Sequence, residues 1–396
     1  MMVIYNSDSN NTLISLNSGR KSVSNGCDDR LSIKKTHLYL PLDYEAEDDD
    51  SDSSDVFPEF YLHLPDTLLK PIDKYLALNP HVMEIADEFL LGGVSILNAG
   101  TKERIIYVLQ NEVAHATSKQ CDILVSDRAT TCHILAFRSS SKNGILGSLA
   151  HIDSVGHEAC LRAIINEHHL YHHTCDSKKR CCRPQRVNID VYLVGGFDDL
   201  KEASSSISNF LITLLVQISE EKKPWVTLTL KLCAVSSIND DGYGNPICRG
   251  MGLSLETGHA FMASVDCTIM GPALNLRSAR LWCQDPNKSL HTIHSHKSNK
   301  LRISPFQYRP PRYVNVLLSL PDQILLQQTS TSPDVEESDF CSSIRSTLYF
   351  MKKVKWEYIF GKSGNMSLEF CRYRSTNHWM LVQNDGILLE NKWNLL

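Results

Sequence analysis

The chain of 396 residues is 42% hydrophobic and 21% charged, proportions typical of a folded globular protein and not of a membrane protein or a wholly disordered one. Its net charge of −5 is uneven: residues 1–55 carry five Lys or Arg and eleven Asp or Glu, a net of −6, which leaves +1 on the rest. A nearly neutral body gives no electrostatic reason to expect nucleic acid as the main partner.

Thirteen cysteines, an odd number without dense regular spacing, indicate free thiols and not a disulfide framework. The first residues lack the basic leader and apolar region of a signal peptide, and no apolar run approaches the roughly 18 residues of a membrane span. We therefore expect no membrane partner and a reducing compartment, the cytoplasm, with the nucleus as an alternative.

The N-terminal segment, residues 1–57, is rich in Ser, Asn and Asp and ends in an acidic tract. Such a segment buries too little apolar surface to offset its ordering entropy, so it predicts a disordered acidic tail. The remainder, residues 58–390, is expected to form one catalytic domain.

The elements of that domain can be followed in chain order. A helix is predicted after 64–67, then strands at 105–109, 123–125 and 131–137. Alternation of apolar and polar residues predicts a strand at 187–193. Helical spacing, with Asp198 or Asp199 as the cap, predicts a helix through Ile218, and alternation predicts another strand at 225–235. A hairpin at 252–264 and a helix at 343–353 follow. Helices and strands mix without strict alternation, which predicts an α+β fold of mixed sheets with packed helices.

One stretch carries most of the chemical information: Ser126-Asp127-Arg128-Ala129-Thr130-Thr131-Cys132-His133-Ile134, with His151 nineteen residues after the cysteine. A cysteine nucleophile needs a base or a positive neighbour, and an imidazole supplies one. By pattern alone, a buried cysteine and a satisfied core histidine are the favoured interpretation of the pair.

The same stretch resembles the protein N-terminal asparagine amidohydrolase family of eukaryotes. Further blocks agree in the same order: His151-x-Asp153, 191–197, 301–303, and 330–333 with 344–348. A weaker likeness connects the chain to bacterial receptor-glutamine deamidases, through a hydroxyl residue, a cysteine on a strand and a histidine about twenty residues later. Together they imply a deamidase-like single catalytic domain.

The resemblance implies that Cys132 is the nucleophile, His151 its base and Ser126 the third member, although a turn-forming role for Ser126 stays open. The implied reaction converts an N-terminal asparagine of a protein substrate into aspartate and ammonia through a thioester, without metal or organic cofactor. In this family the product enters ubiquitin-dependent degradation through the N-degron pathway.

Recognition of a free α-ammonium calls for a carboxylate in a pocket. The substrate-binding candidates are Asp127, Asp153 and Asp198, with Asp199 as an alternative to Asp198. Arg302, which lies in a matching block, is a candidate for substrate backbone carbonyls, as is Arg345; structural ion pairs are the other interpretation of both.

A dense group of histidines and cysteines, between His168 and Cys182, predicts either an exposed polar loop or a zinc site. Two alternatives to the main reading stay open: a glutamine-directed deamidase on the same scaffold, and a non-catalytic zinc-binding or interaction protein. The sequence does not indicate an oligomeric state.

Overall fold

The computed structural model describes residues 71–173, 186–197, 202–222, 225–283, 289–373, 378–382 and 388–389. The helices are α1 Pro71–Leu78, α2 Pro80–Leu91, α3 Glu158–His173, α4 Ala203–Lys222, α5 Leu274–Ala279, α6 Val314–Ser319, α7 Asp322–Thr329, α8 Phe340–Lys353 and α9 Trp356–Phe360. The strands are β1 Ser95–Leu97, β2 Ile105–Tyr107, β3 Glu112–Thr117, β4 Ile123–Ala129, β5 His133–Ser141, β6 Gly144–Ile152, β7 Val187–Gly195, β8 Val226–Val235, β9 Arg249–Ser254, β10 Ala260–Val265, β11 His291–Ser295, β12 Lys300–Ile303, β13 Leu368–Arg372, β14 Trp379–Val382 and β15 Leu388–Leu389.

The strands form two mixed sheets. The larger has the order β15-β14-β13-β12-β11-β3-β6-β5-β7-β8, and the smaller has the order β1-β10-β9-β4-β2. Within the larger sheet β5 pairs antiparallel with both β6 and β7, while β7 and β8 run parallel. The α+β class with mixed sheets is therefore confirmed.

The centre of the large sheet is buried on both faces, because the small sheet covers one face and helices cover the other. Leu135 and Phe137 of β5 pack with Leu211 of α4 on the helical side. Ile134 and Ala136, the alternate residues of β5, pack against β4 and β9 of the small sheet. This alternation decides which side chains of β5 and β6 reach the space between the two sheets.

The strand, helix, strand unit predicted from alternation is present as β7, α4 and β8. Its parallel strands need a crossover, and the apolar face of α4 packs onto the large sheet to provide it. The predicted hairpin corresponds to β9 and β10, and the late helix to α8. The predicted start of the first helix, the acidic tail and the cap at Asp198 or Asp199 lie outside the described residues.

The prediction of an exposed loop beginning at His168 is wrong for residues 168–173, which belong to α3. His168 is fully buried, because residues four apart on a helix share one face and here that face packs on the sheet. Cys175, Cys181 and Cys182 lie outside the described residues. Within the part of the chain that is described, no group of three His, Cys, Asp or Glu is arranged to hold a metal ion.

The buried His168 and the partly buried His172 of α3 belong to a chain of serine and histidine side chains between α3 and strands β3, β5 and β6. Five hydrogen bonds of 2.6–2.9 Å join its members in the order His115, Ser148, His168, Ser139, His172 and Ser141. Each hydroxyl and each neutral imidazole has one proton to donate, so the bonds can all point in one direction. A protonated imidazole would donate at both ends and break that order.

Burial lowers the pKa of His168 well below its usual range and that of His115 to about 4. These imidazoles are therefore neutral in the folded chain, whereas in the unfolded chain they bind protons below about pH 6.5. The unfolded state then holds more protons, so their contribution to stability is complete above pH 6.5 and falls as the pH drops towards 4.

We predict that the free energy of unfolding falls between pH 6.5 and 4.5, with a slope of about 1.4 kcal/mol per pH unit for each histidine kept neutral by the fold. Urea unfolding at a series of pH values measures it. His168→Gln should reduce the slope, while the same change at the exposed His81 of α2 should not. A free energy independent of pH in this range would contradict the prediction.

Across the described ranges, no helix is both long enough and apolar enough to span a membrane.

Candidate active site

Cys132 lies where the chain crosses from one sheet to the other. β4 ends at Ala129 in the small sheet, a short turn follows, and β5 begins at His133 in the large sheet. Arg128 has a left-handed backbone, with φ of 59°, and the pairing of β4 with β9 shifts register there. This bend directs the chain out of the small sheet and leaves Cys132 at the mouth of the interface, 5% exposed.

The β5 and β6 register puts Cys132 and His151 on one face. Ile134 pairs with His151 and His133 with Ile152, so Cys132 is the diagonal neighbour of His151 and stands opposite Asp153. All three side chains share the face that meets the small sheet. Burial lowers the pKa of His151 to about 4 and raises that of the Cys132 thiol. Thiol and imidazole are thus both neutral at pH 7.

Ser126 of β4 completes the group from the opposite sheet. Its Oγ lies 2.7 Å from His151 Nδ1 and donates to the carbonyl of Val108 at 2.6 Å. Since a hydroxyl has a single proton and a carbonyl can only accept, His151 must donate from Nδ1 to Ser126. The bare lone pair is then on Nε2, a buried atom without a partner among the described residues. This tautomer is the one that a general base requires.

Asp153 stands beside both the thiol and the imidazole. Its Oδ2 accepts hydrogen bonds of 2.8 Å from the side-chain amides of Gln110 and Asn111, and its Oδ1 lies 4.0 Å from His157 Nε2. Burial by itself raises the pKa of this carboxyl, but the interaction with His157 and the hydrogen bonds from Gln110 and Asn111 outweigh it and hold the pKa below its usual range. Asp153 is therefore ionised, and 13% of its side-chain surface is exposed.

Asp127 is occupied by structural contacts instead. Its two oxygens accept from the Tyr107 hydroxyl and from the Val265 amide, both at 2.8 Å, and the residue is 3% exposed. Burial raises its pKa to about 6. The residue ties β4 to β2 and β10, and it has little surface to offer a substrate.

The 107–112 loop, which runs from the last residue of β2 to the first residue of β3, supplies the Val108 carbonyl and both amides that hold Asp153. A buried ion pair fixes it: Arg277 of α5 donates to both oxygens of Glu112, at 3.0 and 2.6 Å. Arg277 also donates to the carbonyl of Tyr107, and Glu112 accepts from the Leu109 amide. Nothing in the sequence pattern distinguished these residues, because the partners are 165 positions apart.

Behind Cys132, the turn that ends β7 approaches the backbone of this residue closely. The Gly196 amide donates to the Cys132 carbonyl at 2.9 Å, and a Cβ on Gly195 would lie 2.5 Å from that oxygen. The buried Asn239 side chain donates to the carbonyls of Gly195, Gly196 and Ala234. The paired glycines are thus explained by lack of space, and Asn239 holds the turn in place.

The segment before α8 contacts the catalytic turn through Arg128. Its guanidinium lies 2.9 Å from carboxylate oxygens of Glu337 and Asp339. Burial raises the pKa of the neighbouring Glu336, which accepts a hydrogen bond from Ser330. Ser330, in the 330–333 block that carried part of the family resemblance, is therefore linked through Glu336 to the segment that pairs with Arg128.

Two sequence candidates do not join this group. Arg302 lies on β12, three strands from β6, or about 14 Å at the usual strand spacing. Its guanidinium bonds Ser367 and is more than half exposed, so its role in substrate binding stays an untested prediction. Arg345 lies 2.6 Å from Asp322 in an ion pair. Asp198 lies outside the described residues.

We predict that Arg277→Met lowers the free energy of unfolding by about 3–5 kcal/mol, because it leaves the charge of Glu112 buried without its partner. The double variant Arg277→Met with Glu112→Gln should recover about 1 kcal/mol or more, since the amide oxygen can still accept from Leu109. Urea unfolding measures both. Equal or greater loss in the double variant would contradict a role for the ion pair.

Comparison with known proteins identifies a family for the chain. The family model described as Protein N-terminal asparagine amidohydrolase matches residues 97–380. Proteins of that name from Sus scrofa and Mus musculus are 30% and 31% identical, each over 67% of this chain and 79% of the relative. One of that name from Arabidopsis thaliana is 25% identical over 66% of this chain and 77% of the relative.

Proposed function

We propose, from the premise that this chain belongs to the protein N-terminal asparagine amidohydrolase family, that it hydrolyses the side-chain amide of an N-terminal asparagine on protein substrates. The products are N-terminal aspartate and ammonia. One observation carries the mechanism: Ser126 and Val108 leave a bare Nε2 on His151, on the face it shares with Cys132.

In the first half-reaction, the Cys132 thiol gives its proton to His151 Nε2 and the sulfur bonds to the substrate carboxamide carbon. Backbone N–H groups of the 130–132 turn are the candidate donors to the oxyanion. His151 then passes the proton to the amide nitrogen, the carbon–nitrogen bond breaks, and ammonia leaves a thioester.

The second half-reaction reverses these roles. His151 takes a proton from water, the oxygen bonds to the thioester carbon, and the carbon–sulfur bond breaks. The departing sulfur recovers the proton from His151, so the enzyme is regenerated and no cofactor is consumed.

Among the candidate carboxylates, Asp153 is the one we propose to bind the substrate α-ammonium. Only three bonds separate the α-nitrogen of asparagine from the carbon that is attacked, so its receptor must lie within a few ångströms of the sulfur. Asp153 stands opposite Cys132 in the strand register and is ionised, whereas both Asp127 oxygens are occupied. A glutamine, one methylene longer, would be rejected by roughly 1–3 kcal/mol.

The cellular role follows the family expectation. The aspartate product would feed ubiquitin-dependent degradation through the N-degron pathway, and a free thiol nucleophile suits the cytoplasm or the nucleus. The zinc-binding alternative is less well supported, because His168 and His172 already bond serine hydroxyls.

We predict that Cys132→Ser lowers ammonia release from an Asn-initiated peptide by at least about 10⁴-fold. Mass spectrometry should show replacement of NH2 by OH in the peptide with the unchanged enzyme, and neither N-acetyl-Asn nor Gln-initiated peptides should react comparably. Cys248→Ser, at a half-buried cysteine outside the proposed machinery, is the matched control and should keep activity. Full activity of Cys132→Ser would refute the mechanism, and equal turnover of the acetylated peptide would refute N-terminal specificity.

We further predict that Ser126→Ala lowers kcat about 100-fold with little change in KM, because His151 loses the acceptor that fixes its tautomer. Ser148→Ala is the control: it removes serine–histidine bonds of similar length, to His115 and His168, from the helical side of β6, the strand that carries His151. Steady-state kinetics on the Asn-peptide measures both. Equal loss in the two variants would show that Ser126 acts only on stability.

A further inference from the structure

Gln110 is a residue that sequence patterns did not single out. It precedes Asn111, whose left-handed backbone, with φ of 63°, turns the chain sharply between β2 and β3. Because of this turn, the side chains of two consecutive residues converge on one atom, Asp153 Oδ2, each at 2.8 Å. Convergence of this kind fixes the rotation of the carboxylate.

The arrangement leaves the two oxygens of Asp153 unequal. Oδ2 has two amide donors, while Oδ1 has no hydrogen bond from the described residues at ordinary distance and stands 4.0 Å from His157 Nε2. A carboxylate with one oxygen saturated by neutral donors and the other available suits a ligand cation. Neutral amides hold the anion without cancelling its charge, which a lysine or arginine would do.

We infer that Gln110 is a specificity-determining positioning residue, which orients Asp153 so that its Oδ1 receives the α-ammonium of the substrate. This rests on the proposed function and deepens it, since it says how a free N-terminus is distinguished from a blocked one. Gln110 touches the carboxylate and not the reacting atoms. Its effect must therefore depend on whether the substrate carries the ammonium.

The experiment compares two substrates in one variant. Gln110→Met keeps the side-chain length and removes the amide donor; Gln110 is preferred to Asn111 because a change at the left-handed position would also strain the backbone. One peptide begins with asparagine, and the other begins with its desamino analogue, which keeps the carboxamide but has hydrogen in place of the α-ammonium.

Gln110→Met should lower kcat/KM for the Asn-peptide roughly 10- to 100-fold, the usual range for a hydrogen bond to a charged group, mainly through KM. The slow hydrolysis of the desamino peptide should change less than about threefold. In an Asp153→Asn background the substitution should have no further effect on either peptide. If Gln110 had only a structural role, the substitution would lower kcat/KM for both peptides together.

Gln120→Met is the matched control. Gln120, three residues after β3, donates from its side-chain amide to the His296 carbonyl and accepts from the Thr117 amide, and neither partner belongs to the proposed site. Gln120→Met should leave the ratio of kcat/KM for the two peptides unchanged. Equal losses on both peptides in Gln110→Met, or no loss on either, would overturn the inference while ammonia release by the unchanged enzyme still supported the proposed function. Absence of ammonia release from the Asn-peptide in the unchanged enzyme would refute that function itself.

Discussion

The ion pair between Glu112 and Arg277 is desolvated on every side, with the guanidinium fully buried and the carboxylate nearly so. Such a pair is weak evidence for net stability but strongly favours one geometry, since separating the partners would leave a bare charge in the interior. The geometry it favours is that of the 107–112 loop. From this loop come the carbonyl that sets the tautomer of His151 and the amides that hold Asp153.

The 107–112 loop thereby serves two proposed roles that are chemically separate. The base needs a directed lone pair, while recognition of a substrate N-terminus needs a fixed anion. In the proposed site both needs are met by neutral backbone and amide groups of one short loop, and the buried Arg277–Glu112 ion pair orders that loop. The arrangement keeps Asp153 charged. Burial and the charge of Asp153 together raise the pKa of the neighbouring Cys132 thiol and keep it protonated. An arriving ammonium would offset part of that charge.

Sequence reasoning predicted the β7, α4 and β8 unit correctly from alternation. It also selected Cys132, His151 and Ser126 from one family string and one ordered block after it, and their catalytic roles stay a prediction. It missed Arg277, Gln110 and Asn239, because their roles depend on contacts between residues far apart in the chain or on the conformation of a turn. It misread His168, because serine partners on β5 and β6 are invisible in the local pattern.

β5 is bonded to β6 along its whole length and to β7 from His133 to Ser139. A slip of one residue in either ladder would turn the Cys132 sulfur from the space between the sheets towards α4, and His133 would take its place. The side of the sheet on which the Cys132 sulfur lies therefore depends on pairing with both neighbouring strands that extends as far as Ser139. Any change around this site must therefore preserve the alternation of side chains along β5.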